Sequence, residues 1–187
     1  MTDNRVFQIS KFLSLVLRHN PQKIHLTLDS QGWVGVDQLL QAMNRAGFKI
    51  DRALLEQVVA ENDKKRFAFS ADGQKIRASQ GHSIKVDLDL TPVVPPEKLF
   101  HGTATRFTAS IMEKGLLPGN RNYVHLSAEQ QTALTVGRRH GVPAIFVVRA
   151  QQMHLAGHLF YLAENGVWLC DAVPPAYLVL MGSEPHD

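Results

Sequence analysis

Three prolines in five residues, within Thr91-Pro92-Val93-Val94-Pro95-Pro96, constrain the fold of this 187-residue chain more than any other feature. Proline fixes its own φ and removes a backbone donor, so neither a regular helix nor a central strand crosses such a stretch. It predicts a stiff connector between two halves, with enough chain on either side for a real core. The expected boundaries are a first lobe over residues 1–90, a linker over 91–97 and a second lobe over 98–187.

In the first half Val6, Ile9, Phe12, Leu13, Val16 and Leu17 recur at helical spacing, and Pro21 stops that helix with Arg18 and His19 in its last turn. Cations at that end also complement the helix dipole, so the pair has a plain structural explanation as well as a functional one. A second helix is expected from about Asp37 to Ala46, and a third after Asp51, a good N-cap. The alternating phenylalanines of Arg66-Phe67-Ala68-Phe69-Ser70 predict a half-buried strand, and Ala71-Asp72-Gly73 a turn into a returning strand over Gln74 to Ala78. Three helices followed by a hairpin is the pattern of a winged helix.

Charge supports that reading. Residues 1–90 hold 13 Lys/Arg against 10 Asp/Glu, whereas residues 91–187 hold 7 of each, so the net +3 belongs to the first half. Lys64, Lys65, Arg66, Lys75, Arg77 and Lys85 concentrate around the hairpin. A run of this kind is often only a solvated face, but on a winged helix it becomes a surface for nucleic acid.

The second half has mixed texture. A strand over Lys98 to Phe100 is expected to run into a His101-Gly102-Thr103 turn, followed by a helix around Ser110 to Lys114. Tyr123 to Leu126 reads as a strand, Ala128 to Arg139 as a helix, and Ala144 to Val148 as an apolar strand. Shorter strands are expected at Val167-Trp168-Leu169 and Leu178-Val179-Leu180, giving an α+β chain overall.

Several chemistries lack their signatures. No apolar run approaches the roughly 20 residues of a membrane span, and the N-terminus leads into an amphipathic helix rather than a signal-peptide core. The sole cysteine, Cys170, excludes an internal disulfide and suits the cytoplasm; beside Trp168 and Leu169 it reads as a buried thiol. Neither a P-loop nor a Rossmann glycine motif is present. His154 and His158 have i, i+4 spacing, but Gly157 between them spoils a continuous helix, and no metal is expected.

Arginine carries a fork of donors that fits phosphate oxygens, and histidine moves protons near neutral pH. Arg18-His19 recurs as Arg139-His140, and the glycine of His101-Gly102-Thr103 is expected to let a ligand approach the main chain. With His125-Leu126-Ser127 converging on it, the two turns would floor a cleft with two histidines and two hydroxyls.

The ordered set Leu17-Arg18-His19, Lys65-Arg66-Phe67, Arg77-Ala78-Ser79-Gln80-Gly81-His82-Ser83, His101-Gly102-Thr103, Val124-His125-Leu126-Ser127, Val136-Gly137-Arg138-Arg139-His140-Gly141 and Asn165-Gly166-Val167-Trp168-Leu169 resembles the NAD-dependent RNA (tRNA) 2′-phosphotransferase family. The likeness runs from about Ser10 to Val179. It implies an N-terminal winged-helix RNA lobe and a C-terminal ADP-ribosyltransferase-like lobe that binds NAD as co-substrate, with no metal. It also implies removal of an internal RNA 2′-phosphate in two steps, in tRNA splicing or RNA repair.

By the same resemblance Arg18, His19, Arg66 and Arg139 match the catalytic quartet, with Arg139 chosen over Arg138 because the family's arginine directly precedes His140-Gly141. His101, Gly102, Thr103, His125 and Ser127 are expected at NAD, and Arg77, Gln80, His82 and Ser83 at RNA or between the lobes. Glu164, nearest to the acidic residue of other ADP-ribosyltransferases, is expected to be structural or peripheral. A cytoplasmic monomer without membrane association is expected. The alternatives left open are an ADP-ribosyltransferase acting on terminal phosphates of RNA or DNA, and a non-catalytic RNA-binding module.

Overall fold

A computed structural model describes residues 2–182, with side chains from Asn4 onward. The chain divides into two compact units, Met1–Asp89 and Leu90–Asp187.

The first unit is built on helix α1 (Thr2–Arg18), whose Ile9, Leu13, Val16 and Leu17 are buried along one face. Pro21 cannot continue the helix and opens a single 3-10 turn, Pro21–Ile24, capped by Asn20 Oδ1 accepting from Lys23 N–H at 3.1 Å. Strand β1 (Val34–Gly35) passes straight into α2 (Val36–Arg45). Asp51 caps α3 (Arg52–Ala60), accepting from Leu54 N–H at 2.8 Å.

Strands β2 (Phe67–Phe69) and β3 (Lys75–Ala78) form the expected hairpin. Asp72 closes its turn by accepting from Ser70 Oγ and Gln74 N–H, and Gly73 takes the left-handed conformation. The sheet order is β1-β3-β2, antiparallel throughout, with Phe67 opposite Ala78. Helices and sheet share one core of Leu13, Leu17, Leu39, Met43, Leu55, Phe67 and Ile76.

The second unit holds β4 (Leu99–Ala104), α4 (Thr108–Lys114), β5 (Val124–Leu126), α5 (Gln130–Arg138), β6 (Pro143–Val148), α6 (Ala150–Leu155), β7 (Tyr161–Leu162), β8 (Trp168–Cys170) and β9 (Leu178–Leu180). Two antiparallel sheets, β4-β6-β9 and β5-β8-β7, are tied together where Phe100 and Ser127 exchange backbone hydrogen bonds of 2.8 Å. Phe146, Phe160, Met153, Leu99 and Leu126 fill the core. Small antiparallel sheets with separate helices agree with the α+β expectation.

One expectation needs correction. His101-Gly102-Thr103 is not a turn after a strand but the interior of β4, with His101 opposite Phe146 and Gly102 opposite Ile145. The proline-rich stretch is irregular; Val93 N–H donates to Phe160 C=O at 2.8 Å, and Pro95 is buried. Helix α6 and strand β7 have no counterpart in the sequence reading. No helix among the described residues is long and apolar enough to cross a membrane.

Candidate active site

In the first unit the candidate residues gather where the chain after β3 returns to the end of α1. Arg18 is the last helical residue, and its carbonyl accepts from Ser83 N–H at 3.0 Å. His19 Nδ1 lies 2.8 Å from Ser83 Oγ. Gly81 has φ +89°, and a Cβ there would stand 3.2 Å from the guanidinium carbon of Arg18. A glycine at this point lets the main chain lie against the arginine while taking a conformation that other residues rarely adopt.

Arg66 is fixed through its backbone. Its N–H donates to Asn62 Oδ1 at 3.1 Å and its carbonyl accepts from Ser79 N–H at 2.7 Å. Lys65, just before it, has a left-handed φ of 44°, and its carbonyl accepts from Ser79 Oγ. Arg77 extends from β3, with its guanidinium 4.3 Å from the centre of the Trp33 ring and Nη1 near Gln31 C=O. The described ion pairs, Arg52–Glu56 and Lys75–Asp29, involve neither Arg66 nor Arg77.

His82 sits beneath this group, 2% exposed. Burial first, and then the charges of Arg18, Arg77 and His19, push its pKa down to about 4, so the ring is neutral at pH 7. Among the described residues Arg77 Nε, Gln80 Oε1 and His82 Nε2 are buried without a protein hydrogen-bond partner. Such orphaned polar atoms are rare in folded proteins.

In the second unit His101, His125 and Ser127 come together where β4 meets β5. The Phe100–Ser127 bridge sets the register, and His101 Nδ1 donates to His125 C=O at 3.1 Å. Burial lowers the His101 pKa, only partly opposed by that hydrogen bond, while His140 and Arg121 lower it further. The neutral ring therefore keeps its proton on Nδ1 and a lone pair on Nε2. Arg121, which the sequence reading missed, places Nη1 2.8 Å from His125 Nδ1. Its only sequence signal is a position four residues before His125 in an irregular loop, and loops do not reveal which side chains meet.

The structure gives Gly102 a packing reason that the sequence does not reveal. A Cβ there would lie 1.8 Å from Ala133 C=O, and one at Gly137 would lie 2.8 Å from Thr103 C=O. Both glycines allow α5 to press against the β4 backbone, so close helix packing by itself requires them. Thr103 is buried at the same contact. Arg139 follows the last residue of α5, with its side chain exposed like those of Arg138 and His140.

Other candidates separate from these groups. Cys170 is buried, and its thiol is pushed up to about 12 by burial and by Asp171, so it is no nucleophile at neutral pH. Glu164 is exposed in the turn between β7 and β8. α6 ends at Leu155, and the His158 ring lies edge-on to Tyr177. Among the described residues no group of three or more His, Cys, Asp and Glu is arranged to hold a metal ion.

Residues 4–172 match the family described as RNA 2′-phosphotransferase, Tpt1/KptA family. Similar chains named probable RNA 2′-phosphotransferase include one from Hahella chejuensis, 55% identical over 98% of this chain and 99% of its own. Another from Acaryochloris marina is 54% identical over 95% of this chain and 98% of its own. A third, from Agrobacterium fabrum, is 60% identical over 91% and 92%. A match along nearly the whole chain, at such identity, makes this protein a member of the RNA 2′-phosphotransferase (Tpt1/KptA) family of transferases.

Proposed function

We propose that this protein removes an internal 2′-phosphate from RNA by transferring it to NAD, which is consumed as a second substrate. One observation carries the proposal: the family match over residues 4–172 takes in Arg18, His19, Arg66 and Arg139 together. The first unit then serves as a winged-helix RNA lobe and the second as an ADP-ribosyltransferase-like NAD lobe. The lone buried Cys170 suits a reducing cytoplasm.

A 2′-phosphomonoester carries about −1.5 to −2 charges at pH 7, so it is a nucleophile without a general base. Its oxygen attacks C1″ of the nicotinamide ribose, the C1″–N bond breaks, and nicotinamide leaves with the electron pair. The 2″-hydroxyl next attacks phosphorus and the bond to the RNA 2′-oxygen breaks. That oxygen takes up a proton, leaving a 2′-hydroxyl on RNA and ADP-ribose 1″,2″-cyclic phosphate.

The chain's own residues supply positioning and charge balance. Arg18 and Arg66 grip the phosphate, and Arg139 stabilises charge as it redistributes. His19, oriented by Ser83, binds phosphate and carries the proton in the second step. His101 holds a lone pair toward a sugar hydroxyl, supported by its Nδ1 bond to His125 C=O.

The test is a short RNA with one internal 2′-phosphate, incubated with and without NAD while RNA and nucleotide products are resolved. NAD-dependent loss of phosphate, with equal nicotinamide and cyclic-phosphate product, is the expected result. Accumulating ADP-ribosylated RNA would confine the enzyme to the first step, and no NAD consumption would leave a binding module.

A further inference from the structure

We infer that Arg121 is a positioning residue that locks His125 in a single tautomer, with its ring proton on Nε2. A guanidinium has five N–H donors and no acceptor. The 2.8 Å contact from Arg121 Nη1 to His125 Nδ1 therefore requires a lone pair on Nδ1, and in the neutral ring the proton must sit on Nε2. The main chain at the arginine is itself held, because the Arg121 backbone N–H donates to Pro118 C=O at 3.1 Å across a turn that contains Gly119 at φ +62°.

The lock continues into the neighbouring histidine. The His125 carbonyl accepts from His101 Nδ1, so His101 carries its proton on Nδ1 and its lone pair on Nε2. One arginine thus fixes a ring that donates from Nε2, and the backbone of His125 fixes a ring that accepts at Nε2. Sugar hydroxyls both donate and accept, so one ring of each kind suits them. Crowding by protein also desolvates the guanidinium and lowers its pKa, although the residue as a whole is exposed.

The role in nucleotide binding rests on the proposed NAD lobe, whereas the tautomer does not. Long-range 15N–1H spectra of the histidine rings, recorded on the full chain without nucleotide, test the lock. Arg121→Ala and Arg121→Lys are compared with the parent protein, and KM for NAD and kcat are measured for all three. The expected parent spectrum has His125 protonated on Nε2 alone. Arg121→Ala should mix the tautomers and raise KM on the order of five-fold with little change in kcat. Arg121→Lys, which keeps a donor, should restore most of both.

A His125 proton on Nδ1 in the parent, or rings unmoved by Arg121→Ala, overturns the lock. A shifted tautomer with unchanged KM overturns the positioning role. A parent protein that consumes no NAD sinks the functional proposal instead, and the spectra still decide the lock.

Discussion

Ser83 and His19, 64 residues apart in sequence, meet at 2.8 Å between Oγ and Nδ1. The backbone N–H of the same serine donates to Arg18 C=O. Ser83 thus ties down two consecutive residues at the point where α1 ends, beyond which helical geometry no longer orients a side chain.

Ser83→Ala removes the hydroxyl and keeps the backbone bond. Dephosphorylation should fall about three- to ten-fold in kcat/KM, the equivalent of one lost hydrogen bond, while thermal stability stays near that of the parent. Ser83→Thr should recover most of the loss. Unaltered kcat/KM in the alanine variant would mean that His19 needs no orienting partner.

The parts legible in sequence were those set by neighbours along the chain. Asp51 as an N-cap, Pro21 as a helix stop and Asp72-Gly73 as a hairpin turn act within a few residues, and each stands as expected. The packing role of Gly102 is invisible in sequence because the backbone that requires it, at Ala133, lies 31 positions away and leaves no local trace. Arg121 was missed for a related reason: its partner is set by a turn at Gly119, and a lone loop arginine looks like any solvated charge. Periodicity reports burial and not chemistry, so the candidate site residues rest on the family motifs.

Gly102→Ala tests the packing reason directly. Its Cβ would sit 1.8 Å from a backbone carbonyl, which no rotamer change relieves. The overpacking penalty should reach about 3 kcal/mol or more, visible as a large drop in the unfolding midpoint of the second unit. A variant that folds with parental stability and loses only NAD binding would make ligand access, not packing, the reason for the glycine.

Cys170 should be inert while the protein is folded. With the thiol buried and its pKa raised to about 12, almost none is thiolate at pH 8. A disulfide reagent such as Ellman's should react with it only after denaturant is added, at a rate that follows unfolding. Cys170→Ala should retain parental dephosphorylation. Rapid labelling of the native protein would show that this strand opens far more readily than its packing implies.

His82 makes the protein sensitive to acid, and the sign follows from its lowered pKa. Between about 4 and 6.5 the unfolded chain binds a proton on this ring that the folded chain refuses. Stability is complete above pH 6.5, falls as pH drops through that window, and levels off below about 4. The contribution lost is on the order of 3 kcal/mol. His101, also lowered, adds in the same direction. Urea unfolding of His82→Gln from pH 7 to 4 should therefore show a flatter profile than the parent, retaining only the slope from other groups. If the two profiles run parallel across the window, His82 accepts its proton in the folded state, and the burial beneath Arg18 and Arg77 is not what governs it.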